Sequence, residues 1–142
     1  MRHLYSILLF TTLCFYCADC WAQSDQINHR KIDTLIKRLP ALTDTARIDC
    51  LNAFCLPYIR LRNDSVKYYA NLAFSEAKKI NYIHGQAEAL ANQAAVERLF
   101  TGNFSLAEKL ARQSVHLFEK SHNKQRIAWG YYNLGWALTA QS

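Results

Sequence analysis

The sequence predicts an all-α fold, a stack of antiparallel helix pairs, and three observations lead to this prediction. Gly and Pro are scarce, with 4 and 2 copies in 142 residues, which disfavours a turn-rich β fold. Apolar residues recur at helical spacing almost continuously from Ile27 onward. The helical pattern also repeats after 40 to 41 residues, so the sequence predicts several similar helix pairs in a row.

The first two predicted helices are bounded by proline and by polar capping residues. Apolar residues over 32–39 follow helical spacing, and Pro40 is expected to end that helix. Asp44 or Thr45 is expected to cap the second helix, because short polar side chains bond the free amides of a first turn. Pro57 lies inside the second helix, so a kink or an early end is expected there.

Turn residues divide the rest of the chain into four further helices. The turns are expected at Asn63–Ser65, Asn81–Gly85, Thr101–Asn103 and Ser121–Asn123. The helices between them are predicted to cover residues 66–80, 86–100 and 105–120, and the last helix is predicted to begin near Gln125.

Equivalent positions of successive helix pairs carry residues of similar character. A shift of 40 residues relates three positions in the first helix of each pair: Leu51, Phe54 and Cys55 match Ala91, Ala94 and Ala95, and then Tyr131, Leu134 and Gly135. A shift of 41 relates four positions in the second helix: Val66, Ala70, Ala73 and Ala77 match Ala107, Ala111, Ser114 and Phe118. The same shift places Ile32, Ile36 and Leu39 opposite Ala73, Ala77 and Ile80. The helix over 32–39 is therefore interpreted as the second helix of an incomplete pair.

Helix pairs that repeat in this way bury their apolar faces by stacking, because one pair cannot form a core alone. The predicted units are a signal peptide over 1–22, a polar leader with the incomplete leading helix over 23–43, and repeats over 44–84 and 85–124. Residues 125–142 form a half repeat. Its helix is expected to expose Tyr131, Leu134 and Leu138 with nothing to cover them.

The N-terminal residues have the pattern of a secretory signal peptide. Arg2 and His3 precede an apolar run, and Cys20-Trp21-Ala22 supplies the small residues read at a cleavage site, so cleavage is expected after Ala22. This predicts an exported chain, periplasmic or secreted, without a membrane span in its mature part. The alternative is an uncleaved segment that anchors the chain to a membrane. Cys50 and Cys55 would then be the two cysteines of the mature chain, and they are interpreted as small buried residues.

Charge and motifs argue against two other classes of function. The formal charge is +6, but the basic residues are scattered, which is typical of a solvated surface and argues against nucleic-acid binding. We find no phosphate-binding loop and no nucleophile or metalloprotease motif in the sequence. His29 is placed in the leader and His84 in a loop, while Glu88 and Glu97 are interpreted as surface charges. The chain is therefore expected to be no enzyme and to hold no metal or cofactor.

The last helices resemble a known family. The stretch from Ala128 to Leu138, with its Asn-Leu-Gly and aromatic residues, resembles the first helix of a tetratricopeptide repeat, and Gly102-Asn103-Phe104 followed by Ala107 resembles its inter-helix turn. The resemblance implies a right-handed superhelical α-solenoid, although the period of 40 to 41 is longer than the usual 34 of that family. The unit that opens at Asp44 resembles the exported N-terminal arrays of bacterial signalling proteins.

The resemblance also implies a function. In that family, first helices line a groove that takes a peptide or protein partner, so the chain is expected to be a non-catalytic interaction scaffold. The positions that match the groove are Asn52, Leu56, Ile59, Asn92, Val96, Leu99, Trp129, Tyr132 and Trp136. The alternative is that the chain is the sensor ectodomain of a signal-transduction protein, a histidine kinase or transcriptional regulator, truncated after its first repeats. Self-association through the last helix is a further expectation.

Overall fold

The computed structural model describes residues 26, 29–30, 32–61, 65–121 and 124–139, and its regular structure is helical throughout these residues. Helix α1 covers residues 32–38 and passes into a 3₁₀ turn, Leu39–Ala41. The longer helices are α2 Asp44–Arg60, α3 Ser65–Lys79, α4 Ile83–Val96, α5 Phe104–Lys120 and α6 Lys124–Thr139, and a π turn, Glu97–Thr101, extends α4. The all-α prediction is confirmed. The predicted signal peptide over 1–22 lies outside the described residues.

Helix α2 differs from its prediction at both ends. Thr43 is its N-cap residue, so the expectation of a cap at Asp44 or Thr45 was wrong, and the Thr43 side chain makes no capping hydrogen bond. Pro57 does not shorten the helix, which continues to Arg60. Proline lacks an amide proton and costs the helix one backbone hydrogen bond, but the Leu61 N–H still donates to the Pro57 carbonyl at 3.0 Å.

The connection between α3 and α4 is shorter than predicted. Asn81 adopts a left-handed conformation with φ of 55°, the Tyr82 N–H donates to the Ala77 carbonyl and the Asn81 N–H to the Lys78 carbonyl. This pair of bonds is the Schellman motif, which ends a helix within two residues. Helix α4 therefore begins at Ile83, and Gly85 lies inside it, not in a loop.

The turn before α5 agrees with its prediction. Gly102 has φ of 67°, a left-handed conformation that glycine adopts without steric cost. Asn103 is the N-cap residue of α5, and its Oδ1 accepts a hydrogen bond from the Leu106 N–H at 3.1 Å. The predicted turns at Asn63–Ser65 and Ser121–Asn123 fall largely outside the described residues.

Each helix from α2 to α6 packs against the next one, and the first helices α2, α4 and α6 also contact one another in sequence. All eight positions that the 41-residue shift relates in α3 and α5 are fully buried: Val66, Ala70, Ala73, Ala77, Ala107, Ala111, Ser114 and Phe118. Seven of them face the core with apolar side chains, while Ser114 donates its Oγ–H to the Ala87 carbonyl at 2.8 Å. The repeat relation therefore describes the buried faces of the second helices.

The equivalent positions of the first helices are buried in α2 and α4 but only partly in α6. Leu134 is buried and packs with Ala94 and Ala111, so the expectation that it is exposed was wrong. Tyr131 and Gly135 are exposed, as is Leu138. Within the described residues, no helix combines the length and the apolar character needed to cross a membrane.

Candidate partner-binding face

The nine residues predicted to line a groove lie on α2, on α4 with its π turn, and on α6, and we call this surface the first-helix face. They differ in how accessible they are. Four are exposed, namely Leu56, Leu99, Tyr132 and Trp136. Three are half-buried, namely Ile59, Asn92 and Trp129. Asn52 and Val96 are buried.

The two asparagines are joined to each other and to the helix backbone. Asn52 donates its Nδ2–H to the Gly85 carbonyl at 3.1 Å. Asn92 donates its Nδ2–H to the backbone carbonyl and to the Oδ1 of Asn52, both at 3.4 Å. Because buried polar groups need hydrogen-bond partners, Asn52 acts as a joint between α2 and α4. Asn52 is therefore not accessible at the groove, where the resemblance placed it.

Three aromatic side chains form a continuous ridge along α6, which we call the aromatic ridge: Trp129, Tyr132 and Trp136. The Trp129 and Tyr132 rings are stacked, with centroids 5.4 Å apart and an interplanar angle of 16°. Trp136 meets Tyr132 edge-on at 6.2 Å. Their spacing of three and four residues places them on one side of the helix. Tyr132 and Trp136 remain 52% and 49% exposed.

Contacts with residues of α4, its π turn and α5 hold the aromatic ridge in place. Trp129 packs against the cluster of Ala87, Ala91 and Phe118, which joins α4 to α5. The Arg98 guanidinium carbon lies 5.6 Å from the centre of the Trp136 ring, a cation–π arrangement. Arg98 is a residue that sequence reasoning missed. The 40-residue shift aligns it with Tyr58, a buried residue, so nothing in the repeat pattern marked it as a surface contact.

Arg98 lies in the π turn Glu97–Thr101, which departs from α-helical geometry. A π turn closes with bonds from i to i+5, so residues that follow it no longer keep the α-helical facing. The turn is held by Glu97, whose carboxylate and backbone carbonyl both accept from the Thr101 hydroxyl, at 2.8 and 2.7 Å. Lys67 of α3 lies 3.4 Å from the same carboxylate. Glu97 is buried, so its interpretation as a surface charge was wrong.

A polar cluster joins the beginnings of α4 and α6. Arg126 Nη1 lies 2.7 Å from Glu88 Oε1, and His84 Nε2 lies 3.7 Å from Glu88 Oε2. Burial raises the pKa of Glu88, while the charges of Arg126 and His84 act in the opposite direction. His84 lies in the first turn of α4, not in a loop. Glu88 is therefore a largely buried acid that pairs across helices, and not the surface charge that was predicted.

A second polar contact joins α4 to α2 beside this cluster. The Tyr82 hydroxyl donates to Asp49 Oδ1 at 3.0 Å. Burial and this hydrogen bond raise the pKa of Tyr82 to about 12. The phenol is therefore neutral at physiological pH and serves as a donor that holds two first helices together.

The cysteines and the acidic and histidine side chains of the described residues were compared with the needs of nucleophiles and metal ligands. Cys50 and Cys55 are both buried and free, and burial raises the pKa of the Cys55 thiol to about 12. A thiol needs a lowered pKa to act as a nucleophile or metal ligand. No group of three or more His, Cys, Asp or Glu in the described part of the chain has an arrangement that suits a metal ion. Glu108 and Arg112 form an ion pair within α5, with Arg112 Nε 2.8 Å from Glu108 Oε1.

Comparison of the chain with protein-family models, with curated proteins and with solved structures finds no match. The class of protein therefore rests on the fold and the site alone. These define an all-helical protein that presents exposed, ordered aromatic side chains on one of its faces.

Proposed function

We propose that the chain is a non-catalytic interaction scaffold that binds a peptide or protein partner through its first-helix face. The observation that carries the proposal is the aromatic ridge. Tyr and Trp are the side chains most enriched where proteins bind one another tightly, together with Arg. The aromatic ridge presents the exposed Tyr132 and Trp136, and Arg98 lies beside Trp136.

The side chains of the aromatic ridge are held in fixed positions, and this favours the binding of a partner. Side chains that are fixed before a partner arrives lose less conformational entropy when the complex forms. Trp129 packs against the core cluster that joins α4 to α5, and Tyr132 stacks on Trp129. Trp136 lies between Tyr132 and Arg98. A partner that covers Tyr132 and Trp136 gains their remaining apolar area at low entropic cost.

We also propose that the helix pairs form a right-handed superhelical solenoid of the tetratricopeptide type. Two observations support this. The first helices contact one another as well as the second helix that follows each. The buried positions of α3 and α5 correspond after a shift of 41 residues. In such a stack the first helices share one surface, which would bring Leu56 and Leu99 alongside the aromatic ridge.

Export remains part of the proposal, and it rests on the sequence of residues 1–22. It places the binding face in a periplasmic or extracellular setting. Mass spectrometry of the chain recovered from an exporting host tests it, since a mature product that begins at Gln23 is expected.

A displayed peptide library, selected on the purified chain, tests the binding function. Peptides that bind the native chain are measured again on Trp136→Ala and on Tyr68→Ala as a matched control. Tyr68 is 64% exposed on α3, a second helix. Its replacement by alanine therefore removes a similar aromatic surface away from the aromatic ridge. Truncating a central aromatic residue at an interface costs about 2 kcal/mol or more, which is roughly a 30-fold loss of affinity.

The two variants separate the outcomes. A loss on Trp136→Ala with affinity unchanged on Tyr68→Ala supports the aromatic ridge as the binding surface. Equal losses on both variants, selected peptides that are insensitive to both, or a library that yields no specific binder would overturn the proposal.

A further inference from the structure

An ion pair between α4 and α6 lies next to the first ring of the aromatic ridge. Arg126 is in the first turn of α6, and its Nη1 lies 2.7 Å from Oε1 of Glu88 in α4. The Glu88 side chain is only 15% exposed, so its carboxylate is largely shielded from water. Arg126 and Trp129 are three residues apart and therefore project from the same side of α6. The pair thus holds α6 against α4 within one turn of Trp129.

Glu88 and Trp129 also share neighbouring side chains. Trp129 packs against the core cluster that contains Phe118 of α5. The centroid of the Phe118 ring lies 5.8 Å from that of His84, and His84 Nε2 lies 3.7 Å from Glu88 Oε2. A change at Glu88 therefore acts on Trp129 by two routes, directly through the first turn of α6 and indirectly through these two rings.

The exposed rings of the aromatic ridge depend on the position of Trp129. Tyr132 stacks on Trp129, and Trp136 meets Tyr132 edge-on. Trp129 is the ring of the three that packs against the core cluster of α4 and α5, while Tyr132 and Trp136 are exposed. A shift of Trp129 is therefore passed on to the two rings that a partner would cover.

We infer that Glu88 is a positioning residue for the aromatic ridge, acting through Arg126, and that it makes the binding of a partner depend on pH. The inference rests on the proposed function of the aromatic ridge. The charged carboxylate holds Arg126 by a charge-assisted hydrogen bond, which is roughly twice as strong as a neutral one. Once Glu88 is protonated this charge is lost, so the start of α6 and Trp129 are held less firmly. A smaller fraction of the chains then presents an ordered aromatic ridge, and the apparent affinity for a partner falls with that fraction.

The surroundings of Glu88 set the pH range in which this happens. The titratable and charged groups that interact with its carboxylate are Arg126 of α6, His84 of α4, Asp49 and Cys55 of α2, and Tyr82 before α4. Burial has the largest effect on the pKa of Glu88 and raises it, while the charges of Arg126 and His84 lower it. The charge of Asp49 raises the pKa of Glu88 again, and the net shift is upward. Glu88 therefore takes up its proton above pH 4.5, the ordinary pKa of a glutamate.

The proton on Glu88 has opposite effects on folding and on partner binding. Protonation removes the cost of keeping a charge in a buried place, so relative to Glu88→Gln the folded chain gains stability on acidification. Protonation also removes the charge that holds Arg126, so the affinity for a partner falls over the same pH range. A residue that supported only the fold would move stability and affinity in the same direction. The opposite signs therefore distinguish a positioning residue from a structural one.

The affinity of a selected peptide, measured from neutral pH down to pH 4.5, tests the inference. The peptide contains no Asp, Glu or His and has blocked ends, so it does not titrate in this range. Glu108→Gln is the control, because it removes a carboxylate that pairs with an arginine at 2.8 Å within α5. The wild type and Glu108→Gln should lose roughly three- to tenfold in affinity on acidification. Glu88→Gln should bind with the lower affinity already at neutral pH and should not change.

A double substitution shows whether Glu88 acts through Arg126. Arg126→Gln should weaken binding at neutral pH as Glu88→Gln does. The double variant should bind no more weakly than either single variant, because both substitutions break the same ion pair. Losses that simply add would show that the two residues affect the aromatic ridge independently and would contradict the inference.

Tryptophan fluorescence tests the positioning of the aromatic ridge without any partner. Trp129 and Trp136 are two of the three tryptophans, and the third, Trp21, is common to all variants and cancels in the comparison. Acrylamide should quench the emission of the wild type more strongly as the pH falls. Glu88→Gln should show the stronger quenching at every pH, while Glu108→Gln should follow the wild type.

The two measurements separate the inference from the function on which it rests. A chain that yields no specific peptide refutes the binding function, and the quenching profile then still shows whether Glu88 positions the aromatic ridge. Peptides whose affinity for the wild type does not change with pH, or a Glu88→Gln variant that binds and quenches like the wild type at neutral pH, would overturn the inference alone. Affinity and stability that fall together on acidification would reduce Glu88 to a structural residue.

Discussion

Gly85 of α4 packs closely against Ile48 of α2 and against Tyr82, and replacing it with alanine tests this packing. An alanine Cβ at this position would lie 2.5 Å from Tyr82 Cδ1 and 2.7 Å from Ile48 Cγ2. Real Cβ atoms do not approach other heavy atoms so closely, so something must move. The Gly85 carbonyl also accepts the buried Asn52 amide, which ties the backbone at this position to α2.

Two opposing effects set the size of the change. Alanine is favoured over glycine inside a helix by at most about 1 kcal/mol. Overpacking a well-filled site costs about 1 to 3 kcal/mol, and turning Tyr82 aside would also break its hydrogen bond to the Asp49 carboxylate, worth roughly 1.5 kcal/mol or more. We therefore expect Gly85→Ala to lower the free energy of unfolding by roughly 2 kcal/mol.

The other helical glycines supply matched controls for the same substitution. Gly130→Ala would place its Cβ 3.0 Å from Val115 Cγ2 and 3.2 Å from Phe118 Cδ2, so a smaller loss is expected. At Gly135 the added Cβ meets no atom within 4 Å, so only the helical preference remains and a gain of about 0.5 to 1 kcal/mol is expected. Urea unfolding followed by far-UV circular dichroism, at concentrations where the chain is monomeric, gives all three values.

A double substitution identifies the atoms that are responsible. Tyr82 supplies two of the three close contacts at Gly85, and Ile48 supplies the third. The cost of Gly85→Ala should therefore fall, without vanishing, when it is measured in a Tyr82→Ala background. If Gly85→Ala is as stable as the wild-type chain, or if the three glycines respond alike, the close packing of α2 on α4 is refuted.

Two further predictions concern titratable side chains. Because the pKa of Glu88 is raised in the folded chain, its carboxylate takes up a proton at a higher pH there than in the unfolded chain. Relative to Glu88→Gln, the wild type should therefore gain stability as the pH falls from neutral towards 4.5, the ordinary pKa of a glutamate. Unfolding free energies measured across this range check it, and a difference between the two proteins that is constant or shrinks on acidification would contradict it. With its pKa near 12 and its side chain fully buried, Cys55 should resist iodoacetamide at mildly alkaline pH in the native chain and react only after denaturation, as peptide mapping can show. Equal labelling rates in the two states would show that the α2 core opens readily.

The sequence was sufficient for the helices and for the repeat because both depend on apolar spacing. Ala70 and Ala111 are both fully buried, as the 41-residue shift requires. The Gly102-Asn103 turn was also readable, since glycine accepts a left-handed conformation and Asn caps helices. Asn81 was harder to anticipate, because a left-handed residue other than glycine is uncommon, and the connection was therefore predicted too long.

The candidate site was less predictable, because it depends on contacts between residues far apart in the chain. The resemblance placed Asn52 on a groove, but its amide pairs with a carbonyl 33 residues away and is buried. The pairing of Glu88 with Arg126 likewise joins two helices and leaves no local trace in the sequence. The π turn that contains Glu97 and Arg98 is likewise not visible in a pattern of 3.6 residues per turn.

The first-helix face changes character along the stack, and this locates where a partner gains most. At the position shared by Asn52, Asn92 and Tyr132, the first two bond to each other, while the third is stacked in the aromatic ridge. At the next shared position, Leu56 and Trp136 are both half exposed, while Val96 between them in the sequence is buried. Hydrogen bonds between the asparagines thus occupy their polar groups where α2 meets α4, and the accessible aromatic area lies on α6. Binding energy should therefore depend on α6 far more than on the asparagines.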